Sequence, residues 1–142
     1  LIDMGIDPYL IAPTLILGMA QRLVGKAYAP AVESVPASES VKEMIDAEFK
    51  DLPEAHKQSI PKATDIYTIK PTPECPRGVR GRMAVFEMYE MDKKLESIVL
   101  KDATEPAIYG YLRAEKGMLR MKEDAIIKAL EKKIPFEEIG NL

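Results

Sequence analysis

The apolar positions of the chain fall into three patterns. From Tyr9 to Leu23 the sequence is apolar on almost every side, and Asp7-Pro8 just before it forms a good helix start. Asp accepts from the free N–H groups of a first turn, and Pro fits the first helical position. A helix apolar all round belongs inside a larger protein. Pro13 should kink or restart it, Gln21 to Val24 ends it or begins a strand, and Gly25 marks a break either way. From Ala27 to Ser38 small residues and prolines predict a loop. Val41, Met44, Ile45 and Phe49 then make one apolar stripe, which predicts a helix from a cap at Ser38 or Ser40 to about Leu52, stopped by Pro53. A short helical turn near Glu54–Ile60, a β-rich Ile66–Ile69 and an extended Pro71-Thr72-Pro73 follow.

Met83 to Met91 is the best strand. One face carries Met83, Val85, Tyr89 and Met91 around Glu87; the other carries Ala84, Phe86 and Met88. Apolar residues on both faces predict cover on both sides. Beyond residue 91 the period becomes helical. Asp92 caps a helix with Leu95, Ile98 and Val99. Thr104 caps a second, with Pro106 in its first turn, a stripe of Ile108, Tyr109 and Leu112, and Gly117 as its C-cap. A third carries Ile126, Ile127 and Leu130, and Pro135 opens a last short one with Phe136 and Ile139. Together these helices read as a small bundle. The fold class is therefore α/β, mostly α.

Composition narrows the classes. The 142 residues carry a net charge of −3, with 46% apolar and 30% charged, one Cys, one His and no Trp. That balance excludes a disordered chain and a coiled-coil rod. The apolar stretch Leu10–Ala20 is too short to span a bilayer. The absence of a basic excess speaks against a dedicated nucleic-acid binder. A single Cys makes no intramolecular disulfide, so nothing points to an oxidising compartment. No basic leader and no initiator Met precede Leu1-Ile-Asp-Met-Gly-Ile, which reads as the interior of a longer protein. Charge is uneven: residues 33–65 sum to −4 and 66–91 to +1, while both ends are neutral. Eight of the eleven prolines lie between Pro8 and Pro73, which makes 26–76 the irregular part.

Candidate chemistry is sparse. The phosphate-cradling motif, Gly, four residues, Gly-Lys-Ser/Thr, is absent. Arg77, Arg80 and Arg82 lie within six residues around Gly78 and Gly81. They make either an anion or subunit contact or a tight turn feeding the strand after them. Glu87, an acid inside an apolar strand, needs a partner, and one of those arginines is the candidate. His56 lacks partners at metal-ligand spacing and reads as a solvated residue; Cys75 reads as an inert thiol, and the eight Met residues as core filler. One His and one Cys support no nucleophilic triad or dyad. The helices on either side of Gly117 also fit a helix-turn-helix, but Arg120, Lys122, Lys128, Lys132 and Lys133 are set against Glu123, Asp124 and Glu131, a small surplus for reading DNA.

Three phrases, in order, resemble one family. They are Leu1-Ile-Asp-Met-Gly-Ile-Asp-Pro with Ala20-Gln-Arg-Leu-Val24; Gly78-Val-Arg-Gly-Arg-Met-Ala-Val-Phe-Glu87; and Arg113-Ala-Glu-Lys-Gly-Met118 with Glu123-Asp124 and Pro135-Phe-Glu-Glu-Ile139. The chain resembles the C-terminal part of the type II secretion and type IV pilus assembly ATPases at both ends, and not over 26–76. The resemblance implies that 1–25 closes a RecA-like ATPase core and that 77–91 adds a turn and strand to its sheet. Residues 92–142 would then be a helical C-terminal domain that packs subunits in a hexamer. It implies ATP and Mg held upstream of this chain, and a protein at the inner membrane's cytoplasmic side that moves a membrane platform protein. Members often carry a zinc knuckle of two Cys-x-x-Cys pairs. Here Lys26-Ala-Tyr-Ala-Pro-Ala has no Cys and only Cys75 precedes Gly78, so no metal is expected and 26–76 stands as an acidic, Pro-rich insertion in its place. Lys94–Lys101 lacks the Arg signature of the retraction members, which favours extension or secretion. The alternatives are a stand-alone helical interaction module and a helix-turn-helix protein.

Overall fold

The computed structural model describes residues 1–142. In chain order they form α1 (Pro8–Ile11), β1 (Leu17–Ala27), β2 (Val32–Pro36), α2 (Glu39–Glu48), α3 (Glu54–Lys57), β3 (Asp65–Ile69), β4 (Val79–Glu90), α4 (Lys93–Lys101), α5 (Glu105–Lys116), α6 (Met121–Leu130) and a closing 3-10 turn, Phe136–Asn141. The fold is mixed α/β with two antiparallel ribbons, β1–β4 and β2–β3.

The expected helix over Tyr9–Leu23 is four residues long. Asp7 caps it through the Tyr9 N–H at 2.9 Å, and Pro8 opens it as expected. It ends at Ile11, before Pro13, and the chain re-emerges as strand β1. An apolar run cannot distinguish a buried helix from a strand by itself. What decides is β4, which pairs with β1 from Leu17↔Glu90 to Ala27↔Val79. The inner face of this ribbon carries Val24, Met83, Val85 and Tyr89, and Gly18 leaves the space that the Tyr89 ring occupies.

Cover on both sides of β4 is not found. Val85 is fully buried, but on the opposite face Met88 and its cross-strand neighbour Met19 are exposed, as are Leu17 and Leu23. The outer edge of β4 is closed by side chains. Asp124 accepts from the Phe86 N–H at 2.8 Å, and Lys128, paired with Asp124, donates to the Ala84 carbonyl at 3.0 Å. One helical turn thus stands in for a neighbouring strand.

The C-terminal helices do not form a bundle of their own. Asp92 caps α4 through the Leu95 N–H at 2.8 Å, and Gly117 ends α5 at φ +62°, both as expected. Thr104 precedes α5 but makes no side-chain cap. α4 and α5 pack with α1 around Ile11, Leu95, Val99, Leu112 and Met118. α6 leaves them and lies on the β1–β4 ribbon, where Ala125, Ile126 and Leu130 join Val24 and Val85. The inner face of a two-stranded ribbon needs a partner, and α6 supplies it. Residues 26–76 also reach the core: Ile45, Phe49 and Leu52 belong to the same buried cluster as Val85 and Ile126. The stripe read from sequence is the one buried, and Ser38 is the cap, accepting from the Val41 N–H at 3.4 Å.

Candidate functional site

The three arginines sit at the far end of the β1–β4 ribbon, and a bulge sorts them. Gly25 pairs with Arg82 and Ala27 with Val79, so two steps on β1 face three on β4. The extra residue is accommodated at Gly81, at φ +79°. The Gly-rich phrase is therefore part of β4 from Val79 onward, not a turn ahead of it. Because of the bulge, Arg80 and Arg82 do not share the face that strict alternation would give them. Arg80 lies over the Tyr28 ring, 4.3 Å from its centroid, and donates to the Glu74 carbonyl at 3.3 Å. Arg77 and Arg82 line a cleft of about 500 Å³ with Gly25, Gly81 and Glu138. Glu138 accepts from the Gly25 N–H at 2.8 Å. All three arginines are exposed, and none pairs with a carboxylate within 4.0 Å. Arg77 and Arg82 thus present two free guanidinium groups to an anion or an acidic surface.

Gly78, at φ +66°, lies so close to Ile69 that a Cβ there would overlap it. The Tyr28 N–H donates to its carbonyl at 3.0 Å, which holds the start of β4 against the β1–β2 connection. Cys75 is buried next to it, its thiol donating to the Val79 carbonyl at 3.3 Å. His56 is half-buried rather than solvated: its ring occupies the space next to Gly117.

Glu87 does not pair with an arginine. It lies well down the ribbon from Arg82, opposite Ala20, and accepts from the Met121 N–H at 3.3 Å at the start of α6. The free N–H groups of a helix N-terminus satisfy a carboxylate without a cation. Four of the five basic residues considered for DNA reading face carboxylates: Arg120 reaches Asp51, Lys122 pairs with Glu48, Lys128 pairs with Asp124, and Lys133 pairs with Glu131.

The most buried polar centre is one that pattern reading passed over. Arg113 is 4% exposed and Glu123 0%. The Arg113 guanidinium donates to Glu123 twice, at 2.8 and 2.5 Å, to the Met118 carbonyl at 2.7 Å and to Asp51 at 2.7 Å. Arg120 donates its backbone N–H to Glu123 at 2.7 Å and its side chain to Asp51 at 2.8 Å. Burial opposes the charge on Arg113, but its hydrogen bonds to Glu123 and Asp51 outweigh it and raise its pKa further. Burial likewise opposes ionisation of Asp51, and the Arg113 hydrogen bond with the charges of Arg113 and Arg120 lowers its pKa overall. The cluster ties the end of α2 to α5 and to the start of α6 through these bonds. Its signal was a charge at an apolar-periodic position: Arg113 follows Tyr109 by four, and Glu123 precedes Ile126, Ile127 and Leu130 on the α6 stripe.

A family model described as "Type II/IV secretion system protein" matches residues 1–140. The chain belongs to this family. It is 27% identical over 138 residues to the type II secretion system ATPase E of Vibrio cholerae, covering 96% of this chain and 25% of that one. It is 30% identical over 141 residues to the type II secretion system protein E of Xanthomonas campestris, covering 98% and 23%. The protein E of Pseudomonas aeruginosa is 25% identical over 140 residues, covering 98% and 25%. The chain thus spans about a quarter of the length of the curated relatives it matches. The match runs through residues 26–76, where the motifs alone suggested no likeness.

No helix of this family member is long and apolar enough to cross a membrane. The Arg77–Arg82 cleft has cations but no phosphate-wrapping loop, and nowhere do three or more His, Cys, Asp or Glu side chains cluster as a metal site.

Proposed function

We propose that this chain is the C-terminal part of a secretion or pilus-assembly ATPase, in which it packs subunits together and passes on the movement produced by ATP hydrolysis. The observation that carries the reading is the family match from residue 1 to 140, with a relative named as an ATPase aligned over nearly the whole chain. In this reading β1 and β4 are the last strands of a RecA-like core, and the exposed Leu17, Met19, Leu23 and Met88 are its contact with the rest of that core. ATP and Mg are held by residues outside this chain. The motor is a hexamer on the cytoplasmic side of the inner membrane and acts on a platform protein there.

Arg77 and Arg82 are the residues proposed to touch a neighbouring subunit or a phosphate. Their open cleft and lack of a carboxylate partner support this. The test is Arg77→Ala with Arg82→Ala in the full-length protein. Steady-state ATPase activity and the size of the assembly should both fall. Unchanged activity and size would remove the two arginines from the mechanism. For the chain by itself, calorimetry should detect no micromolar nucleotide binding, and finding it would sink the assignment of ATP to upstream residues.

A further inference from the structure

Residues 37–64, with α2 and α3, stand on the β2–β3 ribbon. Pro36 and Asp65 are register partners, so the two ends of the segment leave the ribbon side by side. Every backbone–backbone hydrogen bond outside regular elements made by this segment stays within it, down to the Ala37 N–H donating to the Thr64 carbonyl at 3.0 Å. Every hydrogen bond that seats it on the rest of the chain therefore involves a side chain on at least one side.

That seating has two parts. Ile45, Phe49 and Leu52 enter the larger core. The end of α2 is gripped by cations from three places. Asp51 accepts from Arg113 at 2.7 Å and from Arg120 at 2.8 Å; the Glu48 carbonyl accepts from Arg120 at 3.1 Å; the Glu48 carboxylate pairs with Lys122. Cations at the C-terminal end of a helix also meet the negative end of its dipole. A segment whose backbone hydrogen bonds are all its own can open separately from the rest, at the cost of withdrawing Ile45, Phe49 and Leu52 from the core.

We infer that α2 and α3 form a latched flap that opens as one body on the β2–β3 ribbon, with Asp51 as the positioning residue of the latch. Arg113 keeps both bonds to Glu123 when Asp51 lets go, so the core is not left with an unpaired buried charge. Arg120 and Asp51 are each partly exposed and return to water at little cost. The uncovered surface presents Arg113, Arg120 and Lys122 beside the apolar side of α6, a seat whose chemistry fits an acidic amphipathic helix such as α2. The inference holds for the chain whether or not the motor reading does.

The test is hydrogen exchange by mass spectrometry on the full chain, as wild type, Asp51→Asn and Asp51→Glu. Asp51→Asn should speed exchange across α2 and α3 together by about tenfold, from the loss of charge-assisted hydrogen bonds at a half-exposed site. β1 and β4 should be unchanged, and Asp51→Glu should restore part of the protection. Unchanged exchange in α2 would overturn the latch. An equal rise in β1 and β4 would overturn the flap, because α2 would then open only when everything does.

Discussion

Glu123→Ala tests the buried centre most directly. In the folded chain Glu123 takes two hydrogen bonds from the Arg113 guanidinium and two from Arg120, one from its backbone N–H and a longer one of 3.4 Å from its guanidinium, with no exposure of its own. Truncation leaves Arg113 at 4% exposure, with Asp51 and the Met118 carbonyl as its remaining partners. Breaking a buried pair from one side costs about 3–5 kcal/mol. Asp51 still offsets part of the charge, and the Nε atoms of Arg113 and Arg120 already have no partner, so the lower end applies. The expected loss is about 3 kcal/mol, which for a chain of this size is a fall in Tm of roughly 10 °C. Urea unfolding followed by circular dichroism reads it, with an unchanged m-value showing that the denatured state is the same. The combination Arg113→Met with Glu123→Leu removes both charges and should recover most of the loss. A loss below about 1 kcal/mol in Glu123→Ala, or a double variant no better than the single one, would refute the view that the cost lies in an uncompensated buried charge.

Other outcomes follow from single contacts. Gly117→Ala forces a Cβ into left-handed backbone and against the His56 ring, so a loss of about 1–2 kcal/mol is expected; adding His56→Ala should return part of it, and no recovery would show that the ring is not the obstacle. Asp124→Ala strands the Phe86 N–H on the edge of β4, with an expected loss of about 1–3 kcal/mol and a greater tendency to associate by light scattering; an unchanged monomer would argue that the edge needs no guard. The Lys116 hydrogen bond, then the Leu95 N–H and the Tyr111 hydroxyl, hold the Asp92 carboxyl well below the usual carboxylate range. A depressed folded pKa contributes stability that is complete above the unfolded value of about 3.9 and is lost as pH falls below it. Asp92→Asn should therefore flatten the acid limb of the stability profile, and an acid limb as steep as the wild type's would contradict this. The same pair raises the pKa of Lys116, so its share is present at neutral pH and fades at alkaline pH above the usual lysine value.

Much of the local structure was legible in the residues. The caps at Asp7, Ser38 and Asp92, the stop at Gly117, the α2 stripe and the strand after Gly81 follow from spacing and from what each residue can donate or accept. The three phrases that point to the family were also in plain view. Such features depend on neighbours a few positions away, and a single sequence contains them.

Contacts distant in sequence decided the rest. An apolar run from Tyr9 to Leu23 is compatible with helix or strand until β4 supplies a ladder of hydrogen bonds. A bulge at Gly81 then separates Arg80 from Arg82, which adjacent spacing had grouped, and leaves Arg77 and Arg82 in one cleft. Glu87 finds the N-terminus of α6 in place of an arginine, because the strand carries it far from the tip. Asp51 and Arg113, 62 positions apart, meet because α2 and the α5–α6 junction bury their apolar sides in one core. The sequence by itself determined the caps at Asp7, Ser38 and Asp92, the stop at Gly117 and the apolar stripe of α2, but neither the extent of α1 nor the strand β2 inside the stretch predicted as loop. Which charges meet beneath the apolar faces is set only when those faces close on one another, since burial is what makes a charge require a partner.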